Sequence, residues 1–346
     1  MNKRKPIAAV IALCCMLFVT SCIPSGGGTS NIPPLETIDT TGYNLQQLTS
    51  NGSSLFSDIH FSGDFTNWLN NNGYATSMFE NTNIQGSAFG GKQNPSDQVN
   101  NIPVIFIHGN SDKAVGNKFG QSGWTRSLNY FKKRGYTNAE LYAITWGNAN
   151  ALYASSNYHS KENIIRIRKF IEAVLAYTGA EKVSIVAHSM GVTLARKAVK
   201  GGAANDLLDG GNYTIGEALT NKVDAFVGIA GANQGLVSCY ATGATTPTCG
   251  STNGFYPGVA AGGIGLSTFL AELNSTRKFE GSYIYSIWSK VDEIVGASCI
   301  VWGKNTCIIP GNTAQKSFSS YPYGHFGLKD NTMNYQYEMV KNHRSK

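Results

Sequence analysis

The run Val104-Ile105-Phe106-Ile107 is apolar at every position and stops abruptly at His108-Gly109-Asn110. A strand with one face in water alternates apolar and polar residues. A run without alternation belongs to a strand covered on both faces, as in a parallel sheet flanked by helices. Leu141–Trp146, Val183–Ala187, Val223–Ile229 and Tyr283–Trp288 read as further strands. Between them lie helical segments: Trp124–Arg134, a helix capped by Ser160 with Ile164, Ile167, Ile171, Val174 and Leu175 at helical spacing and Gly179 as its stop, and Gly191 to about Lys200. Alternation of strand and helix predicts an α/β domain with a mainly parallel central sheet over residues 102–346.

The residues before that domain divide into three parts. Lys3-Arg4-Lys5 precedes an apolar stretch from Ile7 to Val19, too short to span a bilayer, and then Val19-Thr20-Ser21-Cys22. Residues 1–21 are therefore expected to be a signal peptide. The last four residues of the stretch resemble a bacterial lipobox, which implies acylation at Cys22, export, and a membrane contact made through that lipid. Residues 22–34 have the composition of a flexible tether, and 35–101, rich in Asn, Ser, Thr and Gly with scattered aromatics, are expected to form an irregular extension packed on the core. Loss of residues 1–21 removes three basic residues, so 25 basic against 21 acidic residues leave +4. No basic run is interleaved with aromatics, and no nucleic-acid partner is expected.

Of seven cysteines, Cys14 and Cys15 leave with the signal peptide and Cys22 carries lipid, which leaves Cys239, Cys249, Cys299 and Cys307. In an oxidising compartment the short spans favour the pairs Cys239–Cys249 and Cys299–Cys307 among the three possible connectivities. A zinc site would need C-x-x-C spacing or a histidine pair, and neither is present, so no metal or other cofactor is expected.

Ala187-His188-Ser189-Met190-Gly191 lies between a buried strand and a helix, the setting that gives the G-x-S-x-G nucleophile elbow its meaning, although the first glycine is replaced here by Ala187. Such an elbow needs an acid after a late strand and then a histidine, in that chain order. Asp292 and Glu293 both follow the strand Tyr283–Trp288, whereas Asp224 stands at the wrong end of its strand. Six histidines compete for the base, and only His325 follows the acid loop with a glycine on each side, in Gly324-His325-Phe326-Gly327-Leu328. Oxyanion donors are expected from the backbone N–H of Met190, directly after the nucleophile, and of Asn110, directly after His108-Gly109.

With these residues in view, the stretch from about Pro103 to Leu328 resembles the small secreted bacterial lipases of the α/β-hydrolase superfamily. The resemblance favours Asp292 over Glu293, through Ser-x-x-Asp-x-Ile-Val, and matches the family's Gly-His-x-Gly-Leu at His325. A closer likeness, carried by Phe106–Asn110, Ala187–Val192 and the Cys239–Ser251 segment, is to secreted polyhydroxyalkanoate depolymerases built on the lipase core. It implies a serine ester hydrolase acting on hydrophobic esters or a polyester. An acyltransferase or peptidase could use the same triad, and a non-catalytic lipid-binding protein is a further alternative. The apolar, glycine-rich segment Gly254–Leu266 is expected either to wall the site, with Phe255, Tyr256, Ile264 and Leu266 against the acyl group, or to be core.

Overall fold

The structure is a computed structural model that describes residues 59–258 and 266–346. The signal peptide, Cys22, the tether and Ile264 lie outside the described residues. Seven strands form the main sheet: β1 Ala88–Phe89, β2 Val104–Ile107, β3 Leu141–Ile144, β4 Val183–His188, β5 Val223–Ile229, β6 Tyr283–Ser289 and β7 Ala314–Phe318. Their spatial order is β1-β3-β2-β4-β5-β6-β7. Edge strand β1 runs antiparallel to β3, and the other neighbours are parallel. This is the mainly parallel α/β architecture that the unalternated runs imply.

Helices cover both faces. On one face lie α1 (Gly63–Asn71), α3 (Lys161–Thr178), α4 (Met190–Lys200) and α5 (Thr268–Asn274); on the other lie α2 (Thr125–Lys132), α6 (His325–Asn331) and α7 (Met333–Lys341). The strands divide their side chains with period two. Ile105, Ile107, Ile185 and Ala187 pack with Ile167, Phe170, Val192 and Leu194, whereas Phe106 and Val186 pack with Trp124, Phe131, Leu328 and Met339. The long helix α3 is set by its ends: the Ser160 hydroxyl accepts the N–H of Asn163, and Gly179 ends the helix in the left-handed conformation.

The described part of the extension, 59–101, is mostly irregular but carries α1 and β1. The Ser62 hydroxyl caps α1 by accepting the Phe65 N–H. Phe65 and Leu69 are then buried against Phe170 and Tyr142, so α1 is held by the core it covers.

One topological fact positions the site. The chain passes from β2 to β3 on one side and then to β4 on the other, so the strand order reverses between β2 and β4. In open α/β sheets ligands collect at such a switch point, outside the carboxyl ends of the strands. Here those ends are Ile107-His108-Gly109-Asn110 and Ala187-His188-Ser189, in register through Ile107 and Ala187.

Candidate active site

Ser189 follows β4 directly and α4 begins at the next residue, so the chain must turn within one position. Ser189 accordingly has φ 53° and ψ −127°, a conformation that costs a non-glycine residue of order 1–3 kcal/mol. Its N–H donates to Ile229 O at 2.8 Å, which ties the turn to β5. Two glycines allow the close approach. A Cβ at Gly191 would lie 2.7 Å from Ile107 O, and one at Gly109 would lie 2.9 Å from both Ser189 Cβ and His188 Nδ1. The β2 loop and the elbow are thus in direct contact, and Ser189 remains half-exposed.

At the end of β6, Asp292 is buried and its carboxylate reaches His325 Nδ1 at 2.9 Å through Oδ2 and 3.2 Å through Oδ1. Oδ1 also accepts the N–H groups of Ile294 at 3.0 Å and Val295 at 2.8 Å. Burial pushes this carboxyl up, but the His325 ring and the two loop N–H groups outweigh it and hold Asp292 below the usual carboxylate range. The ring therefore faces an ionised acceptor, which fixes the proton on Nδ1 and leaves Nε2 as the basic nitrogen. The imidazole lies next to the elbow, with the rings of His188 and His325 4.7 Å apart.

Asn110 follows Gly109, which lies against Ser189, and Met190 is the residue after Ser189. The Asn110 side chain is turned into structure: Nδ2 donates to Ala154 O at 2.9 Å, and Oδ1 accepts from Asn157 Nδ2 at 2.6 Å. Its backbone N–H and that of Met190, the first residue of α4, have no acceptor among the described residues.

Both cysteine pairs form disulfides, Cys239–Cys249 and Cys299–Cys307. The sulfurs of the second lie within 4.8 Å of the Asp292 carboxylate, so that bridge braces the acid loop. In the Gly254–Leu266 segment, Phe255 belongs to the core, with its ring 4.7 Å from that of His159; Tyr256 is buried and Leu266 packs half-buried on the same cluster. Phe255 is thus packed against His159, which stands just before the Ser160 cap of α3. The stem of the segment is pinned on the acid side, where Trp302 Nε1 donates to Pro257 O at 3.0 Å.

The histidines set aside in the sequence are engaged in structure. His108 Nδ1 donates to Gly109 O at 2.6 Å while Nε2 accepts the Trp146 N–H at 3.0 Å; burial lowers its pKa to about 4. His159 lies between Asn253 O and Thr193 Oγ1, at 2.8 and 2.7 Å, and burial lowers it to about 3. His60 pairs with Glu80, and His343 with Asp224. A buried ion pair escapes sequence reasoning: Lys329 on α6 reaches Asp112 at 2.8 Å, and so joins the helix that begins at His325 to the loop that carries Asn110. A lysine and an aspartate 217 residues apart leave no local signal.

Residues 101–338 match the family model for lipase (class 2). The chain belongs to that family. Among solved structures this class 2 lipase chain is similar to lipase B of Aspergillus fumigatus, at 16% identity and TM-score 0.44, over 70% of this chain and 53% of that one. It spans about half the length of that relative. It is also similar to the mature lipase BlEst2 of Bacillus licheniformis, at 12% identity and TM-score 0.45, over 73% of this chain and 96% of that one. For a Paleococcus ferrophilus monoacylglycerol lipase the figures are 10% identity, TM-score 0.39, and 70% and 97%.

Proposed function

We propose that the protein is a serine carboxylic ester hydrolase that cleaves hydrophobic acyl esters through an acyl-enzyme. The observation that carries this reading is the buried Asp292–His325 pair set beside the strained Ser189 turn. His325 takes the Ser189 proton as Oγ attacks the carbonyl carbon, and Asp292 stabilises the imidazolium that results. The tetrahedral oxyanion is received by the N–H groups of Asn110 and Met190. His325 then returns its proton to the leaving alcohol, and water, activated by the same base, releases the acid.

The surroundings favour an apolar substrate. Phe119, 89% exposed, packs its edge on Phe326 beside His325. Leu152 and Tyr153 are exposed on the turn whose Ala154 carbonyl holds Asn110, Ile294 is exposed next to the Asp292 carboxylate, and Trp302 projects from the bridged hairpin. These exposed apolar side chains stand on segments that also carry or hold site residues, and an apolar ester favours such surroundings over a charged or peptide substrate. Anchoring through acylated Cys22 at the bacterial envelope fits a substrate that is itself an aggregate, and Cys22→Ala should then release the protein.

The test is turnover of a p-nitrophenyl ester series from short to long acyl chains, run beside a triglyceride emulsion and polyhydroxybutyrate granules. Hydrolysis of the esters and the emulsion is expected. Release of hydroxybutyrate in preference to fatty acid would move the assignment to a polyester depolymerase. A folded protein without ester turnover would leave a lipid-binding role, and transfer to an alcohol outrunning hydrolysis would indicate an acyltransferase.

A further inference from the structure

The main chain of His325 is held from two sides by residues outside the triad. Its N–H donates to Glu293 Oε2 at 2.9 Å, and its carbonyl accepts from His188 Nε2 at 3.1 Å. Glu293 is the residue after Asp292, and His188 is the residue before Ser189. We propose that Glu293 and His188 are positioning residues that fix the backbone of the base, each tying it to one of the other two triad members.

The local chemistry explains why these side chains do the work. His325 opens α6, so its N–H has no intrahelical acceptor. The cap position is Gly324, which has no side chain to supply one. A Cβ there would lie 2.5 Å from Glu293 Oε2, so the absent side chain is also what lets the carboxylate approach. On the other side His188 is buried, and burial holds its pKa well below the ordinary 6.5, so the ring is neutral with a single proton. That proton is on Nε2, because the partner is a carbonyl; Nδ1 has no hydrogen-bond partner among the described residues. A buried ring nitrogen left unpaired is a cost, and the bond to His325 is what the ring returns for it. Asp292 orients the imidazole about its own axis, whereas Glu293 and His188 set where the axis stands relative to Ser189.

The inference rests on the triad reading above, and its test separates the two. Four variants, Glu293→Ala, Glu293→Gln, Gly324→Ala and His188→Phe, are compared with the wild type on a short soluble ester, with kcat and KM determined separately. Glu293→Ala should lower kcat about tenfold with KM unchanged within about twofold, since displacement of a reacting group is felt in the chemical step. Glu293→Gln, which keeps an acceptor oxygen, should restore most of that loss. Gly324→Ala, which displaces the carboxylate without removing it, should resemble Glu293→Ala, and His188→Phe should lower kcat in the same way. In an Asp292→Ala background the Glu293→Ala effect should vanish, because a ring without its acid gains nothing from a well-placed backbone. Unchanged kcat in folded Glu293→Ala, or a loss that multiplies in full on Asp292→Ala, would overturn the proposal. A wild type without ester turnover would instead overturn the triad reading, whatever the variants do.

Discussion

The two disulfides close loops of nearly equal size, with sequence separations of 10 for Cys239–Cys249 and 8 for Cys299–Cys307. Loop-closure entropy assigns each about 2.5 kcal/mol of stabilisation, so stability alone does not distinguish them. Position does. The sulfurs of Cys299 and Cys307 lie within 4.8 Å of the Asp292 carboxylate, whereas the other bridge meets that region through its neighbours: Val237, whose N–H donates to Val295 O at 3.3 Å, and Tyr240, whose hydroxyl accepts the Trp302 N–H at 3.1 Å. Replacing each pair by serine should therefore lower the unfolding free energy by similar amounts and lower kcat unequally. Loss of Cys299–Cys307 lets the acid loop move, and a shift of about 1 Å in a catalytic group costs on the order of a hundredfold in rate, so a drop of about tenfold to a hundredfold is expected. Loss of Cys239–Cys249 should leave kcat within about threefold, because its coupling to Asp292 runs through neighbouring residues, Val237 and Tyr240, and not through the sulfurs themselves. Urea unfolding gives the stabilities, and turnover of a short soluble ester, measured at a temperature where both variants remain folded, gives the rates. Equal losses of kcat in the two variants, or none with Cys299 and Cys307 replaced, would show that the second bridge does not hold Asp292 in place.

Lys329→Met strands the Asp112 carboxylate in the core and should cost about 3–5 kcal/mol in urea unfolding, with much of the loss recovered when Asp112→Asn is added. His108 and His159 are held neutral in the fold, with pKa values lowered by burial to about 4 and about 3. The unfolded chain protonates both below about 6.5, so it binds more protons than the fold and stability falls as pH drops from that value. Between pH 7 and pH 5 the expected loss is about 2 kcal/mol for each, read as a lower urea midpoint, and equal midpoints at the two pH values would contradict it. Phe255→Ala should lower stability by about 3–5 kcal/mol and leave the ratio of short-ester to long-ester rates unchanged, because the ring is core.

Much of this arrangement is legible in the sequence where local physics decides it. The strands announce themselves by unbroken apolar runs because a strand covered on both faces has no solvent side to mark, and α3 is bounded by Ser160 and Gly179 because its ends have fixed chemical needs. That an acid of the Asp292-Glu293 pair meets His325 is legible through chain order, since the fold brings consecutive strand ends to one edge, and the resemblance points to Asp292. Other features depend on contacts between distant segments. The Lys329–Asp112 pair joins residues that share no motif, and the grip of Glu293 on His325 follows from a carboxylate turning toward the helix start. The resemblance singles out Asp292 for the ring, and only the geometry shows that the neighbouring Glu293 holds the backbone of the same histidine. Phe255 shows the opposite limit: an apolar residue in a glycine-rich loop can serve core or pocket, and its burial against His159 is a tertiary fact.

On the proposed mechanism Ser189 is the nucleophile, activated by His325, and this role can be labelled directly. It is tested most directly by treating the protein with a p-nitrophenyl alkylphosphonate, which reacts with an activated serine, and locating the adduct by peptide mass spectrometry. One phosphonyl group per chain is expected, on Ser189, with ester turnover lost in proportion to labelling and the reaction abolished in His325→Ala. Complete inhibition with the label on another residue, or ester turnover retained by folded Ser189→Ala, would contradict it.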